Sequence, residues 1–256
     1  MIGPLYEAAL VDGGLLELEH APGAHPDGLA AREAREGRAG TPPGAVRTAV
    51  RGGPPDGPLG DLRVWDAERG REVVPVERWF QNVAGDASVL RRCVPPVLDI
   101  GSGPGRLTVA LAERGLMALG IDVAGPAVDL TRRAGAAALR RDVFAPLPGA
   151  GRWRTALLAD GNIGIGGDPV ALLRRVAELL HPDGRALVEV EPPGRVTRRS
   201  RVRLRRGDRY GDWFDWAYAG VDDIAALASP AGLSVAETWT SGGRWFTCLV
   251  RDTPCA

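Results

Sequence analysis

Apolar residues are spread unevenly along the chain. After Leu18 they thin out among Gly, Pro and Ala, so Pro22 to Gly60 reads as irregular, with one short helix around Leu29 to Arg38. Between Leu62 and Val76 apolar and polar positions alternate around Arg69-Gly70, which predicts a small hairpin. Val76, Trp79, Phe80 and Val83 then mark a helical segment. Downstream the pattern is denser. Val97 to Ile100 is a buried-strand run, and Leu107, Ala110 and Leu111 share a helical face that stops at Gly115. Met117 to Ile121 predicts a second strand, Pro126 and Gly135 bracket a helix, and Ala136 to Leu139 and Thr155 to Ala159 predict two more strands. Asp168-Pro169 opens a helix with Leu172, Leu173, Val176, Leu179 and Leu180 on one stripe. The His181-Pro-Asp-Gly184 turn stops it, and Arg185 to Val190 follows as a strand.

This alternation of strand and helix is the order of a parallel sheet wound on both faces. The ending differs. Val221 to Leu227 predicts a helix, after which Leu233 to Thr238 and Trp245 to Val250 are strands joined through Ser241-Gly242-Gly243. A closing hairpin makes the last strand antiparallel. The expected architecture is therefore α/β: a doubly wound, seven-stranded, mostly parallel sheet with an antiparallel last strand. An irregular N-terminal arm over 1–75 precedes this domain, which covers 76–256.

Composition changes the picture in three ways. Acidic and basic residues number 32 each, so no overall field draws the chain to nucleic acid or an anionic surface. Every basic residue among those 32 is arginine, which removes Schiff-base and lysine-base chemistry. The three cysteines, Cys93, Cys248 and Cys255, are too far apart for a metal cluster or a disulfide framework and fit a reducing compartment. No metal is expected. With no basic-then-apolar leader and no membrane-length apolar run, the expectation is a cytoplasmic protein without membrane contact.

The most informative stretch is Val97 to Arg106, Val-Leu-Asp-Ile-Gly-Ser-Gly-Pro-Gly-Arg. A strand that breaks into a glycine turn and re-forms as a helix aims backbone N–H groups at one spot beyond its carboxyl end. Dinucleotide binders space the motif as Gly-x-Gly-x-x-Gly/Ala; here the sixth position is Arg106, a poor pyrophosphate fingerprint. Asp99-Ile-Gly101-Ser102-Gly103-Pro-Gly105 instead resembles the Asp-x-Gly-x-Gly-x-Gly motif of class I S-adenosylmethionine-dependent methyltransferases. The resemblance covers roughly 76–251 and includes the closing hairpin, which doubly wound dehydrogenase domains usually lack. The phrases Pro75 to Phe80 and Leu158 to Asp168 are similar to a group of small actinobacterial methyltransferases without an assigned substrate.

The resemblance implies a Rossmann-like methyltransferase fold, S-adenosylmethionine as cofactor, and a set of site residues. Asp122, ending the second strand about 20 residues past the glycines, stands where an acid accepts from ribose hydroxyls, with Val123 beside it. Asp99 orders the loop, either near the cofactor's ammonium group or as a staple only. Asp142 takes the adenine amino group while its apolar neighbour, Val143, covers the ring. Asp160 and Gly161, ending the fourth strand, face the methionine end. The Asn/Asp-Pro-Pro-Tyr/Phe quartet of amide- and adenine-N-methylating members is missing at that point, and the glycines up to Gly167 form a tight rim instead.

The implied activity is methyl transfer to a small-molecule acceptor through an oxygen, nitrogen or sulfur nucleophile. A hydroxyl acceptor needs a base, and Asp160 comes first, with Glu191 at the end of the fifth strand second. His181, in the turn entering the fifth strand, is expected to cap a helix C-terminus. His20 and His25 fall in the arm, so a histidine base requires the arm to fold over the site. Residues 195–209 hold eight arginines. Their alternation with Val202 and Leu204 reads as a solvated edge strand, the alternative being an RNA methyltransferase that grips phosphates with them. Trp213 to Tyr218 is an aromatic patch, either core or substrate wall. Two other classes remain: a non-catalytic cofactor-binding protein and a nicotinamide enzyme on a similar sheet.

Overall fold

The computed structural model describes residues 4–12, 16–21, 64–66, 71–74 and 79–252. They form two sheets. The larger is built from β4 (Val97–Ile100), β5 (Ala118–Asp122), β6 (Ala138–Arg140), β7 (Trp153–Leu158), β8 (Leu180–Val190), β12 (Leu233–Ser241) and β13 (Arg244–Arg251). Across the sheet they run β12-β13-β8-β7-β4-β5-β6. β4 to β8 are parallel, and β13 enters antiparallel between β8 and β12. The expected seven-stranded sheet with an antiparallel last strand is thus observed. Because β4 is central and its two neighbours, β5 and β7, are reached by crossovers to opposite sides, a crevice opens at its carboxyl end.

Local sequence accounts for the elements around that crevice. β4 is buried at all four positions, as a central strand covered on both faces must be. The helix α3 (Arg106–Glu113) starts from Gly105 in a left-handed conformation and buries Leu107, Ala110 and Leu111. α5 (Pro169–Leu179) begins as expected, with the Asp168 carboxylate accepting from the Val170 and Ala171 amides. Its stripe of Leu172, Leu173, Val176 and Leu179 is fully buried, each side chain contributing roughly 1.5–3 kcal/mol. Helices α2 (Asp86–Leu90), α4 (Gly125–Arg133) and α6 (Ile224–Ala228) complete the layers. The helical segment expected from Val76 begins only at Asp86, after a turn at Trp79 and Phe80; residues 75–78 lie outside the described ones. Among the described residues, no helix is long and apolar enough to cross a membrane.

The second sheet departs most from expectation. It joins β1 (Leu16–His20), β2 (Val64–Asp66) and β3 (Arg71–Val74) to β9 (Arg198–Arg206), β10 (Arg209–Tyr210) and β11 (Phe214–Tyr218), all pairs antiparallel. The hairpin predicted around Arg69-Gly70 is β2–β3. The beginning of the arm is ordered, with the helix α1 (Pro4–Asp12) and β1; the helix expected over 29–38 lies outside the described residues. β9 is not an edge strand, since β1 pairs on one side and β10 and β11 on the other. Its arginines meet acids directly across the ladder: Arg203 bonds Glu19 at 3.1 Å and Arg205 bonds Glu17 at 3.3 Å. Opposite charge is what makes that pairing favourable.

Candidate functional site

The glycine turn hangs from β5. Gly101 and Ser102 both donate their amides to the Ile121 carbonyl, and Gly103 donates to the Asp122 carboxylate at 2.9 Å. Two of the three glycines are required by the protein's own packing. A Cβ on Gly105 would stand 2.4 Å from Thr131 Oγ1, and one on Gly101 2.7 Å from Asn162 Nδ2. Asn162, in the single 3-10 turn after β7, donates to the Ile100 and Gly101 carbonyls and staples the ends of β4 and β7 together. Gly103 alone of the three turns toward open space, where the Tyr6 hydroxyl lies 3.4 Å from the place of its missing Cβ.

Asp99, Asp122 and the turn line one cavity of about 1010 Å³. Asp122 accepts from the amides of Gly103 and Ala124, one to each oxygen, and as a carboxylate keeps capacity to accept further. Burial raises its carboxyl above the ordinary range, against the pull of those amides. Asp99 accepts from Thr108 Oγ1 at 2.6 Å, and burial pushes it up to about 6. Ser102 Oγ is buried without a partner among the described residues. Asp142 is exposed and accepts from the Phe144 amide, while Val143 points into the core; both, with Val123, line the cavity. The Phe144 ring sits over Gly166 at the rim.

Around Asp160 the structure builds a cluster of buried charge. Arg106, from the first turn of α3, bridges Asp86 and Asp160. Arg244, from β13, reaches Asp86 at 2.8 Å, Asp160 at 3.1 Å and Glu189 at 2.6 Å. Burial opposes the charge on Arg244, and Glu189, Asp160 and Asp86 outweigh it, so the guanidinium is held above its ordinary value. Both Asp160 oxygens therefore accept from a guanidinium. Asp160 is also the one non-glycine residue with positive φ among those described, which presents Asp160-Gly161 to the cavity as a tight turn. Glu191 lines the cavity at the end of β8, where its backbone bonds to Ala219 and Val221.

Sequence reasoning missed three contributors. Arg106 and Arg244 gave no local signal, because their partners are 20 to 158 residues away. Tyr6 belongs to the arm; burial, then the charges of Asp122 and Asp160, raise its hydroxyl well above the usual range, so it remains a donor. His181 does not cap a helix: it lies within β8, which starts at Leu180 and not at Arg185 as expected, and its Nδ1 accepts from the Asp183 amide where the register with β7 shifts. The aromatic patch from Trp213 to Tyr218, on and just before β11, is cavity wall. Together with Tyr6, Trp79, Phe144 and Trp245, it places eight of the chain's fourteen aromatic residues around one space.

No protein-family model and no curated protein matches the chain. Solved structures do. A methyltransferase from Bacteroides fragilis, crystallised with S-adenosyl-L-homocysteine, is 24% identical, covers 75% of this chain and 87% of its own, and superposes with a TM-score of 0.63. The sugar N-methyltransferase KedS8 from Streptoalloteichus is 21% identical over 83% of this chain and 100% of its own, TM-score 0.52. The CcbJ methyltransferase from Streptomyces caelestis is 16% identical over 66% and 89%, TM-score 0.51. With its strand order and antiparallel seventh strand, the chain has the Rossmann-like fold of the S-adenosylmethionine-dependent methyltransferases.

Proposed function

We propose that the chain transfers a methyl group from S-adenosylmethionine to a small-molecule acceptor. The charge balance of the cavity carries this reading. Seven carboxylates line it against three guanidiniums, and two of those three, Arg106 and Arg244, are committed to carboxylates. The third, Arg141, bonds the Arg140 carbonyl. Such a space suits a cationic sulfonium and opposes the pyrophosphate of a dinucleotide, which needs free donors. The nearest basic strip is no better for phosphate, because Arg199, Arg203, Arg205 and Arg206 are each paired with an acid.

The residues present fit the cofactor. The remaining capacity of Asp122 to accept suits a vicinal diol, and the unpartnered Ser102 hydroxyl beside the Gly101 to Gly105 turn offers a further polar contact. Val123, Asp142 and Val143 would hold the adenine end, with Phe144 at the rim. Asp99, Asp160 and Gly161 would bound the methionine end. When bound, the cofactor supplies a methyl group already activated on sulfur. The chain's task is then alignment and exclusion of water, worth several kcal/mol in itself. Of the two carboxylates considered as base, Asp160 has both oxygens engaged by Arg106 and Arg244, which argues against it as the base for a hydroxyl acceptor.

Calorimetry with S-adenosylmethionine, S-adenosylhomocysteine and NADH tests the reading. The first two should bind and the third should not. Asp122→Ala should weaken the adenosyl ligands by roughly 1–3 kcal/mol, since it leaves their hydroxyls unpaired in a buried site. NADH binding, or unchanged affinity in the variant, would refute the assignment.

A further inference from the structure

The inner face of the second sheet carries polar groups that the reading so far does not use. Register places Leu18 opposite Leu204, His20 and Phe214 both opposite Val202, and Trp216 opposite Ser200, so these side chains share the face turned to the cavity. On that otherwise apolar surface His20, Ser200 and Tyr218 are buried. His20 Nδ1 lies 2.9 Å from Ser200 Oγ, and His20 Nε2 lies 3.5 Å from the Tyr218 hydroxyl. The Arg198 guanidinium carbon stands 3.9 Å over the Tyr218 ring. Burying such a chain of polar groups is costly unless each is used. Tyr218 itself lines the cavity, beside Trp213, Phe214, Trp216 and Trp245.

We propose that the acceptor half of the cavity takes a planar aromatic hydroxyl compound, and that Tyr218 receives its proton through a relay to His20. The inference rests on the methyltransferase reading and names Tyr218, and neither Asp160 nor Glu191, as the base. Flat aromatic walls favour a stacked ring. A quaternary ammonium would also suit those walls, but it has no proton to give and would leave the buried relay idle. With the Nδ1 proton donated to Ser200, His20 Nε2 presents a lone pair to the phenol. Tyr218 Oη accepts the acceptor's hydroxyl proton while passing its own to His20 Nε2. The freed oxygen pair bonds the methyl carbon, and the electrons of the breaking carbon–sulfur bond stay on sulfur. Arg198, above the ring, favours the negative charge that develops on the phenolic oxygen in passing. Tyr218 is the catalytic residue here; His20 and Ser200 are positioning residues that act through it.

The probe is 2-naphthol, whose anion has its own absorption band, added to the protein with S-adenosylhomocysteine. Bound naphthol should show the naphtholate band in the wild type. His20→Gln and Tyr218→Phe should bind naphthol within about three-fold of wild type yet lose the band by about ten-fold or more, whereas Glu191→Gln should keep it. A band that survives His20→Gln, or that depends on Glu191 instead, overturns the relay. No naphthol binding, or binding of a 2-naphthyl trimethylammonium salt in its place, overturns the acceptor class. If the variants lose S-adenosylhomocysteine binding, the wild-type imidazole 15N spectrum decides. One of the three histidines must become doubly protonated on adding naphthol, and an unchanged spectrum overturns the proposal. Failure of S-adenosylhomocysteine to bind wild type would instead refute the methyltransferase reading, while naphthol binding alone still reports on the acceptor half.

Discussion

The two sheets are specified by different kinds of information. In the seven-stranded sheet, five parallel strands follow one another from Val97 to Val190, each separated by a crossover, and their apolar runs announce them singly. In the second sheet, Glu17 to His20 pairs with Val202 to Arg205, more than 180 residues away. β9 buries alternate residues only, and it meets β1 through cross-strand charge: Glu17 with Arg205, Glu19 with Arg203. The first sheet builds the cofactor crevice. The second closes the cavity opposite it, so the cofactor half of the site is coded locally and the acceptor half by long-range pairing.

The largest expected effect probes the boundary between these regions. Arg244 is 3% exposed and touches Asp86, Asp160 and Glu189. Arg244→Met removes the cation and leaves buried carboxylates facing one another, which should cost about 3–5 kcal/mol of stability, read as a lower urea midpoint. A loss under about 1 kcal/mol would mean that water reaches the cluster and that it does not organise the Asp160 turn.

The same contrast explains what was legible in the chain. Asp99, Asp122, Asp142 and the glycine turn could be singled out because each lies at or within two residues of the carboxyl end of a strand whose apolar run is visible. The motif predicts a turn that aims its amides at a ligand; that Gly101 and Gly105 also make room for Asn162 and Thr131 is a tertiary fact that no spacing reveals. Arg106 speaks in the sequence only against a pyrophosphate fingerprint, because its partners Asp86 and Asp160 flank it in space and not in sequence. Leu16 to His20 alternates as a strand should, but five residues amid Gly and Pro are a weak signal. The arginine run looked like a guarded edge because the acids opposite it could not be seen.

A second experiment asks whether the two sheets unfold together. Leu16 is fully buried with Tyr6, Ala9, Leu10 and Leu204 under the second sheet. Leu16→Ala should destabilise the protein by about 2–5 kcal/mol through lost transfer energy and the cavity left behind. If the acceptor half is the looser unit, amide exchange in β1 and β9 should accelerate while β4 and β7 stay protected. Equal acceleration in all four strands would show one cooperative core and remove the distinction.

The smallest effect is a pH dependence placed in the first sheet. Asp99 is buried, and burial pushes its carboxyl up to about 6, against the hydrogen bond from Thr108. The folded chain therefore holds this proton more tightly than the unfolded chain does. Its contribution to stability is fully present below the ordinary carboxylate range and is lost as pH rises through about 6. Between roughly pH 5 and pH 7 the loss should amount to about 1 kcal/mol in the wild type. Asp99→Asn cannot titrate, so the difference between the two proteins' denaturation midpoints should change by that amount over the interval. A parallel pair of pH profiles would mean that Asp99 is solvated in the folded protein, and that the floor of the cofactor crevice is wetter than the cover supplied by the second sheet.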